Sequence, residues 1–353
     1  MRVEKGQVRA PEIGRVWFNS PSLTFRQLRG RAVLVDFWDY TCVNCIRTLP
    51  YVQAWHERYK DKGLTVIGVH TPEFTFAQYE SNVERAIREF GLTYPMVLDS
   101  NYELWKAFGN RCWPTKYLLD KDGYLRFVHF GEGSYGETEQ VIQELLREID
   151  SNVSLPSLCV PRRAEDAPGA VCYPATPEIY LGNRRGRIGN AGGFREDQIA
   201  EYSYPEAGSL QENCFYLQGK WASTAEYVEA AEEGGHCIKL RYSAASANLV
   251  MASPRKDVNE VVILQDGKPL SSRQATSDVR FRTKNDREES YIAVQNARMY
   301  FLVNNASFGE HTLELICPSG LAAFAFTFTS CIDPEQSRQP EPAVPENSLL
   351  DRV

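Results

Sequence analysis

The sequence predicts an α/β unit followed by an all-β unit, and three observations predict it. Over residues 1–150 apolar runs of strand length alternate with helical patterns, which implies a mixed sheet covered on both faces. From 151 to 177 proline, small residues and charge dominate, the composition of a linker. Beyond it the helical period does not clearly return, and Ile238-Lys239-Leu240-Arg241-Tyr242 alternates apolar and charged residues as a half-exposed strand does.

In chain order, Val16-Trp17-Phe18 and Leu23-Thr24-Phe25 flank Asn19-Ser20-Pro21-Ser22 and read as a hairpin. Ala32 to Trp38 is a central strand, Cys42 to about Tyr59 a helix and Leu64 to Val69 a second buried strand. Glu80 to Phe90 is helical and stops at Gly91, Tyr94 to Leu98 is a strand, and Tyr102 to Phe108 is a short helix before Gly109. Lys116 to Asp120 and Tyr124 to Phe130 flank Asp122-Gly123, a hairpin turn. Val141, Ile142, Leu145, Leu146 and Ile149 recur at helical spacing and mark the last helix. Residues 178–332 hold further short strands at 261–264, 291–294, 299–303, 312–315 and 323–328, with a turn at Asp266-Gly267, and predict a jelly-roll-like β-sandwich. Residues 333–353, rich in Pro, Glu, Gln and Ser, read as a disordered tail.

Composition narrows the function. A chain of 353 residues, 43% apolar, has the length and core material for two domains. Net charge −7 with no basic run argues against a nucleic-acid surface. No segment approaches the ~18 continuous apolar residues of a membrane span. Met1 to Gln7 has no apolar signal region, so the expectation is a cytoplasmic protein, although a mature portion of an exported one would read the same way. Nine cysteines leave at least one unpaired or intermolecular. In a reducing compartment Cys112, Cys159, Cys172, Cys214, Cys237, Cys317 and Cys331 are mostly small apolar fillers; Cys159 and Cys172 would pair only in an oxidising one.

Cys42-Val43-Asn44-Cys45 carries the chemistry. It follows a buried strand where a helix begins, with the two sulfurs one helical turn apart. A helix N-terminus stabilises a thiolate, so Cys42 is expected to have a lowered pKa and to be the nucleophile, with Cys45 resolving. The same spacing serves zinc, but a structural zinc site needs two more ligands; no second CxxC follows and the five histidines are scattered. No metal and no cofactor beyond the cysteine pair are expected. Asp36, six residues before Cys42 in the apolar strand, would have a raised pKa and exchange a proton with Cys45; the alternative is an aspartate that turns to solvent. Pro50 falls inside the helix as a kink or its end. Pro114 in Trp113-Pro114-Thr115 precedes a strand and is a candidate cis peptide, an ordinary trans proline being the alternative.

Asp36, Trp38, Cys42, Cys45, Pro50 and Pro114 stand where thioredoxin-fold oxidoreductases carry the buried acid, flanking tryptophan, cysteine pair, helix-kink proline and cis-proline loop. The run from Asp36 to Pro50 resembles the TlpA-like branch, and within it the soluble part of DipZ-type proteins. Val69-His70-Thr71-Pro72-Glu73-Phe74 and Phe130-Gly131-Glu132-Gly133 resemble the same group. The resemblance covers roughly Pro11 to Ile149, and more weakly continues to Ile332, where DipZ-type proteins have a carbohydrate-binding-module-like β-sandwich. It implies a thioredoxin-like thiol–disulfide oxidoreductase acting on a disulfide-containing protein, with catalytic Cys42, Cys45 and Asp36 and a groove shaped by Trp38, Trp113 and Pro114. The membrane electron-transfer domain of DipZ-type proteins has no counterpart in this sequence, so the electron donor is an unassigned thiol.

Val43-Asn44 puts no positive charge beside Cys42, which favours a potential nearer ~−270 mV than ~−120 mV. A thiol peroxidase is a second reading, but Val35 and Asp39 before Cys42, and Trp38 and Cys42 before Cys45, do not make the peroxiredoxin motif. A third is a binding protein. Tyr216, Trp221, Tyr227, Tyr242, Tyr291 and Tyr300 could stack on sugars, or fill a core, and the β domain could pair two copies. Cys112 is a buried filler or a third redox thiol; His70 and Glu73 have a structural loop role or a part in substrate binding.

Overall fold

The computed structural model describes residues 1–6, 16–167, 170–196, 198–205, 210–232, 234–253 and 258–332. The tail at 333–353 lies outside them. The chain divides into two compact units: Met1–Val160 with Val250–Val258 and Val294–Tyr300, and Pro161–Leu249 with Asn259–Ala293 and Phe301–Val353.

The first unit is built on β1 (Val16–Phe18), β2 (Ala32–Trp38), α1 (Val43–Tyr59), β3 (Leu64–His70), α2 (Glu80–Glu89), β4 (Met96–Leu98), α3 (Glu103–Ala107), β5 (Thr115–Leu119), β6 (Leu125–Phe130) and α4 (Tyr135–Ile149). Its sheet runs β1-β4-β3-β2-β5-β6. β2 lies between parallel β3 and antiparallel β5, and all seven of its residues are buried. A strand covered on both faces needs no polar alternation, which is why this segment reads as one apolar run. Ala32, Leu34 and Trp38 pack into one core with Leu49, Val52 and Trp55 of α1 and Ile142 and Leu146 of α4. Val33, Val35 and Phe37 pack on the other face with Leu28 and Leu104. By parity Asp36 belongs to the α1 face, where the cysteines are.

Gly68, opposite Asp36 on β3, permits a close approach: a Cβ there would fall 2.2 Å from Met96 Sδ and 3.0 Å from the Tyr94 ring. Pro50 sits within α1 and does not end it. β1 pairs with β4, so the expected hairpin between 16–18 and 23–25 does not form. Trp17 and Phe18 pack against the two cores from the sheet edge instead, while Val16 stays exposed. Residues 151–160, read as linker, pack on this unit. Val153, Leu155 and Cys159 lie against its core, and Gln143 and Arg58 donate to the carbonyls of Pro156 and Ser157.

The all-β part of the chain comprises β7 (Val171–Cys172), β8 (Ile179–Tyr180), β9 (Ile199–Tyr202), β10 (Phe215–Ser223), β11 (Val228–Ala230), β12 (His236–Ala252), β13 (Asn259–Gln265), β14 (Lys268–Pro269), β15 (Val279–Lys284), β16 (Arg287–Val294), β17 (Arg298–Cys317), β18 (Ala322–Thr329) and β19 (Cys331–Ile332). Eleven of these strands form one sheet in the order β15-β16-β13-β17-β12-β10-β11-β18-β8, with β14 on β13, β9 on β10 and an added β12–β18 pairing. Its strand registers are antiparallel. The two short strands expected at 299–303 and 312–315 are parts of the single long β17. Along β12, Ile238, Leu240 and Tyr242 are buried while Lys239 and Arg241 are half-buried, the alternation the sequence displays. Tyr216, Trp221, Tyr242 and Tyr300 are at most 1% exposed, so these four fill the core and offer no face to a sugar.

Cys42, Cys45, Cys112, Cys159, Cys214, Cys237 and Cys317 are free thiols. Cys172 is disulfide-bonded, and its backbone lies opposite Cys331 in the β7–β19 register. Cys172 is therefore not a reduced filler, and Cys159 is not its partner. Among the described residues no helix is long and apolar enough to cross a membrane.

Candidate active site

The dithiol lies at the carboxyl end of parallel β2, the edge where open α/β sheets place their ligands. Cys42 is the N-cap of α1, and its Sγ accepts the Cys45 N–H at 3.2 Å. A cap must accept from one of the first unpaired amides of the helix, and here a sulfur does so. Cys42 is partly exposed and Cys45 fully buried. That asymmetry lets one sulfur meet a substrate while the other stays dry.

The thiolate expectation for Cys42 needs correction. Burial pushes its thiol up, the hydrogen bond to Cys45 pulls it back, and the Glu73 and Asp39 carboxylates push it up further. Desolvation and acidic neighbours thus oppose what the helix terminus favours. Cys45 lies higher still, well above the usual thiol range, through burial and its coupling to Cys42.

Asp36 has no exposed surface and neither carboxylate oxygen has a protein hydrogen-bond partner. Burial raises its pKa to about 7, with Lys116 acting against that rise. The solvent-facing alternative is excluded. Lys116, directly opposite Asp36 in the β2–β5 register, is likewise fully buried; its Nζ donates to the Gly131 carbonyl at 3.1 Å. Burial lowers its pKa while Asp36 and Cys45 raise it. The sequence reading missed Lys116. A lysine in the apolar run Thr115–Leu119, two residues after Pro114, was the signal for it.

The Trp113–Pro114 peptide is cis. Trp113 is half-buried, packs on Trp105 with ring centroids 4.3 Å apart, and donates its Nε1 to the Thr71 carbonyl at 3.0 Å. Trp113 and Cys42 flank the same core cluster. Trp38 departs from expectation: it is fully buried and packs edge-on to His70, so it supports the site from beneath and is not part of a surface groove. The Cys112 Sγ lies 3.6 Å from the Thr115 hydroxyl. Among the described residues no cluster of three or more His, Cys, Asp or Glu is placed to hold a metal.

The chain matches two families. Redoxin covers residues 17–146, and the family described as thioredoxin like C-terminal domain covers 176–329. The thiol-disulfide oxidoreductase ResA of Halalkalibacterium halodurans is 32% identical over 128 residues, 36% of this chain and 68% of that protein. The chain belongs to the thioredoxin-like thiol–disulfide oxidoreductases. Protein DipZ of Mycobacterium bovis is 38% identical over 270 residues, 74% of this chain, and the match spans 37% of that relative's length. The crystal structure of the thioredoxin-like superfamily protein SPOA0173 aligns with a TM-score of 0.38 at 26% identity, covering 42% of this chain and 99% of that one.

Proposed function

We propose that this oxidoreductase is a reductant of protein disulfides in which Cys42 attacks, Cys45 resolves and Asp36 handles the proton, without any cofactor. The observation that carries this is Cys42, a partly exposed residue at the cap of α1, whose Sγ lies 3.2 Å from the amide of the buried Cys45. The Cys42 thiolate attacks one sulfur of the substrate disulfide, forming a mixed disulfide and releasing the other sulfur as a thiolate. Cys45 loses its proton to Asp36 and attacks the Cys42 sulfur. The substrate leaves as a dithiol, and the enzyme is left with a Cys42–Cys45 disulfide for an external thiol donor to reduce.

The raised pKa of the Cys42 thiol favours the reducing direction. A nucleophile whose thiol form is favoured makes a weak oxidant, because strong oxidants stabilise the reduced thiolate. Glu73 and Asp39 act on Cys42 in that sense. Trp113 and the cis-Pro114 loop would carry the substrate backbone past the sulfur. The β unit would choose the partner, or pair two copies, and leave the chemistry to the first unit. The disulfide at Cys172 supports work in an oxidising compartment over the cytoplasmic expectation, since structural disulfides rarely persist in reducing cytosol.

The test is the reduction potential of the Cys42–Cys45 couple, measured against glutathione and dithiothreitol buffers. A value near or below ~−230 mV fits a reductant; one above ~−180 mV would reverse the assigned direction.

A further inference from the structure

Asp39 stands three residues before Cys42 and is fully buried, yet unlike Asp36 its carboxylate is engaged. Oδ1 accepts the Thr41 N–H at 2.8 Å and the Thr41 hydroxyl at 3.0 Å, and Oδ2 accepts the Glu73 N–H. The Cys42 N–H donates to the Asp39 carbonyl at 3.3 Å. One side chain therefore ties the turn that delivers the nucleophile to the loop that follows β3. That loop also meets the cis-proline wall, because Thr71 accepts from Trp113 and Pro72 accepts from the Tyr102 hydroxyl.

His70 completes the arrangement. It ends β3 in register with Trp38 and has no exposed surface. Its ring stacks on Tyr40 with centroids 5.5 Å apart and meets the Trp38 edge at 5.1 Å. Neither ring nitrogen has a protein hydrogen-bond partner. Nε2 lies 3.7 Å from Asp39 Oδ1, too long for a hydrogen bond but within ion-pair range once the ring is protonated. Other charges near the ring are already directed elsewhere. Asp99, whose N–H donates to the His70 carbonyl, presents its carboxylate to Thr71, Leu104 and Trp105. Arg85 and Glu89 of α2 act on the Tyr40 hydroxyl, and Glu73 acts on Cys42.

We propose that Asp39 and His70 are a pH-responsive pair of positioning residues for Cys42: the carboxylate fixes the nucleophile's turn, and protonation of the imidazole cancels the carboxylate's field at the sulfur. With His70 neutral, the Asp39 charge opposes the Cys42 thiolate. With His70 protonated, that opposition is removed, so part of the reactivity lost on acidification is returned. This rests on the dithiol chemistry and not on the direction of electron flow.

The experiment follows alkylation of Cys42 by iodoacetamide in the reduced full chain, resolved by mass spectrometry, from about pH 5 to about pH 9. On crossing the His70 titration, the native protein loses roughly three- to tenfold less rate than His70→Gln, the size expected for one partly buried charge. Asp39→Asn keeps an oxygen for Thr41 and removes the charge; its alkylation at neutral pH rises by a similar factor and no longer depends on His70. Equal slopes for native and His70→Gln, or an unchanged rate in folded Asp39→Asn, overturn the proposal. The native protein provides a readout that needs no variant. The His70 ring proton, followed by NMR, must titrate within this range while the fold persists, and a ring that stays neutral throughout also overturns it.

Discussion

Around the dithiol, Asp36, Trp38, Tyr40, Trp55, His70 and Tyr94 are buried with polar atoms that have no protein hydrogen-bond partner. The β unit also leaves Tyr204 Oη, Ser223 Oγ, His236 Nδ1 and Arg241 Nε without a hydrogen-bond partner, but it differs in how it holds its charges. Its cleft of about 730 Å³, lined by Tyr204, Lys239, Arg241, Asp266, Glu310 and Glu314 among others, sets the charges in pairs. Lys239 meets Glu314 at 3.3 Å, Arg241 meets Glu310 at 2.6 Å, and His311 meets Asp266 at 2.9 Å. A buried polar group left without a partner costs about 1–3 kcal/mol, whereas a solvated ion pair contributes little either way. In the first unit Asp36 and Tyr94 place part of that cost near Cys45, with which both interact electrostatically. The difference lies in the charges: the thioredoxin-like unit buries the Asp36 carboxylate with no hydrogen-bond partner, whereas the charges of the β unit's cleft meet an opposite charge.

The largest effect expected from breaking this contrast is at the sulfurs. Cys42→Ser abolishes disulfide exchange, and Cys45→Ser accumulates mixed disulfides, both read by non-reducing electrophoresis against a model protein disulfide. Faster alkylation of Cys45 than of Cys42 in the reduced chain would reverse the roles.

Next comes Asp36→Asn. Resolution of the mixed disulfide slows by roughly 10²–10⁴-fold and the initial attack much less, as for loss of a general base. Stability moves the other way. The folded chain holds the Asp36 proton up to about pH 7, against an ordinary value of 3.8. Between those values the folded state binds more protons than the unfolded one, so stability falls as pH rises through this window. The Asn variant has no proton to lose. Its advantage over the native chain therefore grows from pH 4 to pH 7, towards roughly 4 kcal/mol less what Lys116 loses with its partner. Denaturant melts at the two ends of the window measure it, and a constant difference would mean Asp36 is ionised throughout.

Lys116→Met sharpens the same point. Without the buried cation, Asp36 is held further from ionisation, and the pH profile of the resolution step moves alkaline by about one unit. An unmoved profile would mean that the pair does not communicate.

The smallest effects belong to the β unit. Arg241→Ala, at a half-exposed pair, leaves the melting temperature unresolved from native in physiological salt. Residues 1–160 alone, which carry every group of the proposed chemistry, reduce a generic disulfide at the full chain's rate. A folded fragment without activity would place part of the site in the other unit.

Much of this was legible in the chain. Cys42 and Cys45 are announced by a seven-residue apolar strand and a helix start, because a strand covered on both faces cannot hide its composition. Asp36 was legible as the one charge within that strand. Trp38 was misplaced because a tryptophan next to a dithiol reads equally as groove or core, and only the α1 face decides. The depressed Cys42 pKa expected from the helix start failed because tertiary packing buries the thiol, with the Glu73 and Asp39 carboxylates adding to the rise. His70 was visible as a residue at a strand end, and its pairing with Asp39 was not.

Sequence alone marked the dithiol, its place along the chain and the strand–helix junction that presents it, since period, spacing and cap position are local properties. Tertiary structure decided what those residues experience: Lys116 opposite Asp36 across β2 and β5, Asp39 within ion-pair reach of His70 across β2 and β3, and Cys172 in a disulfide. Each of these depends on strand register or burial, and electrostatic energy depends on distance through a low-dielectric interior, which no local pattern of residues encodes.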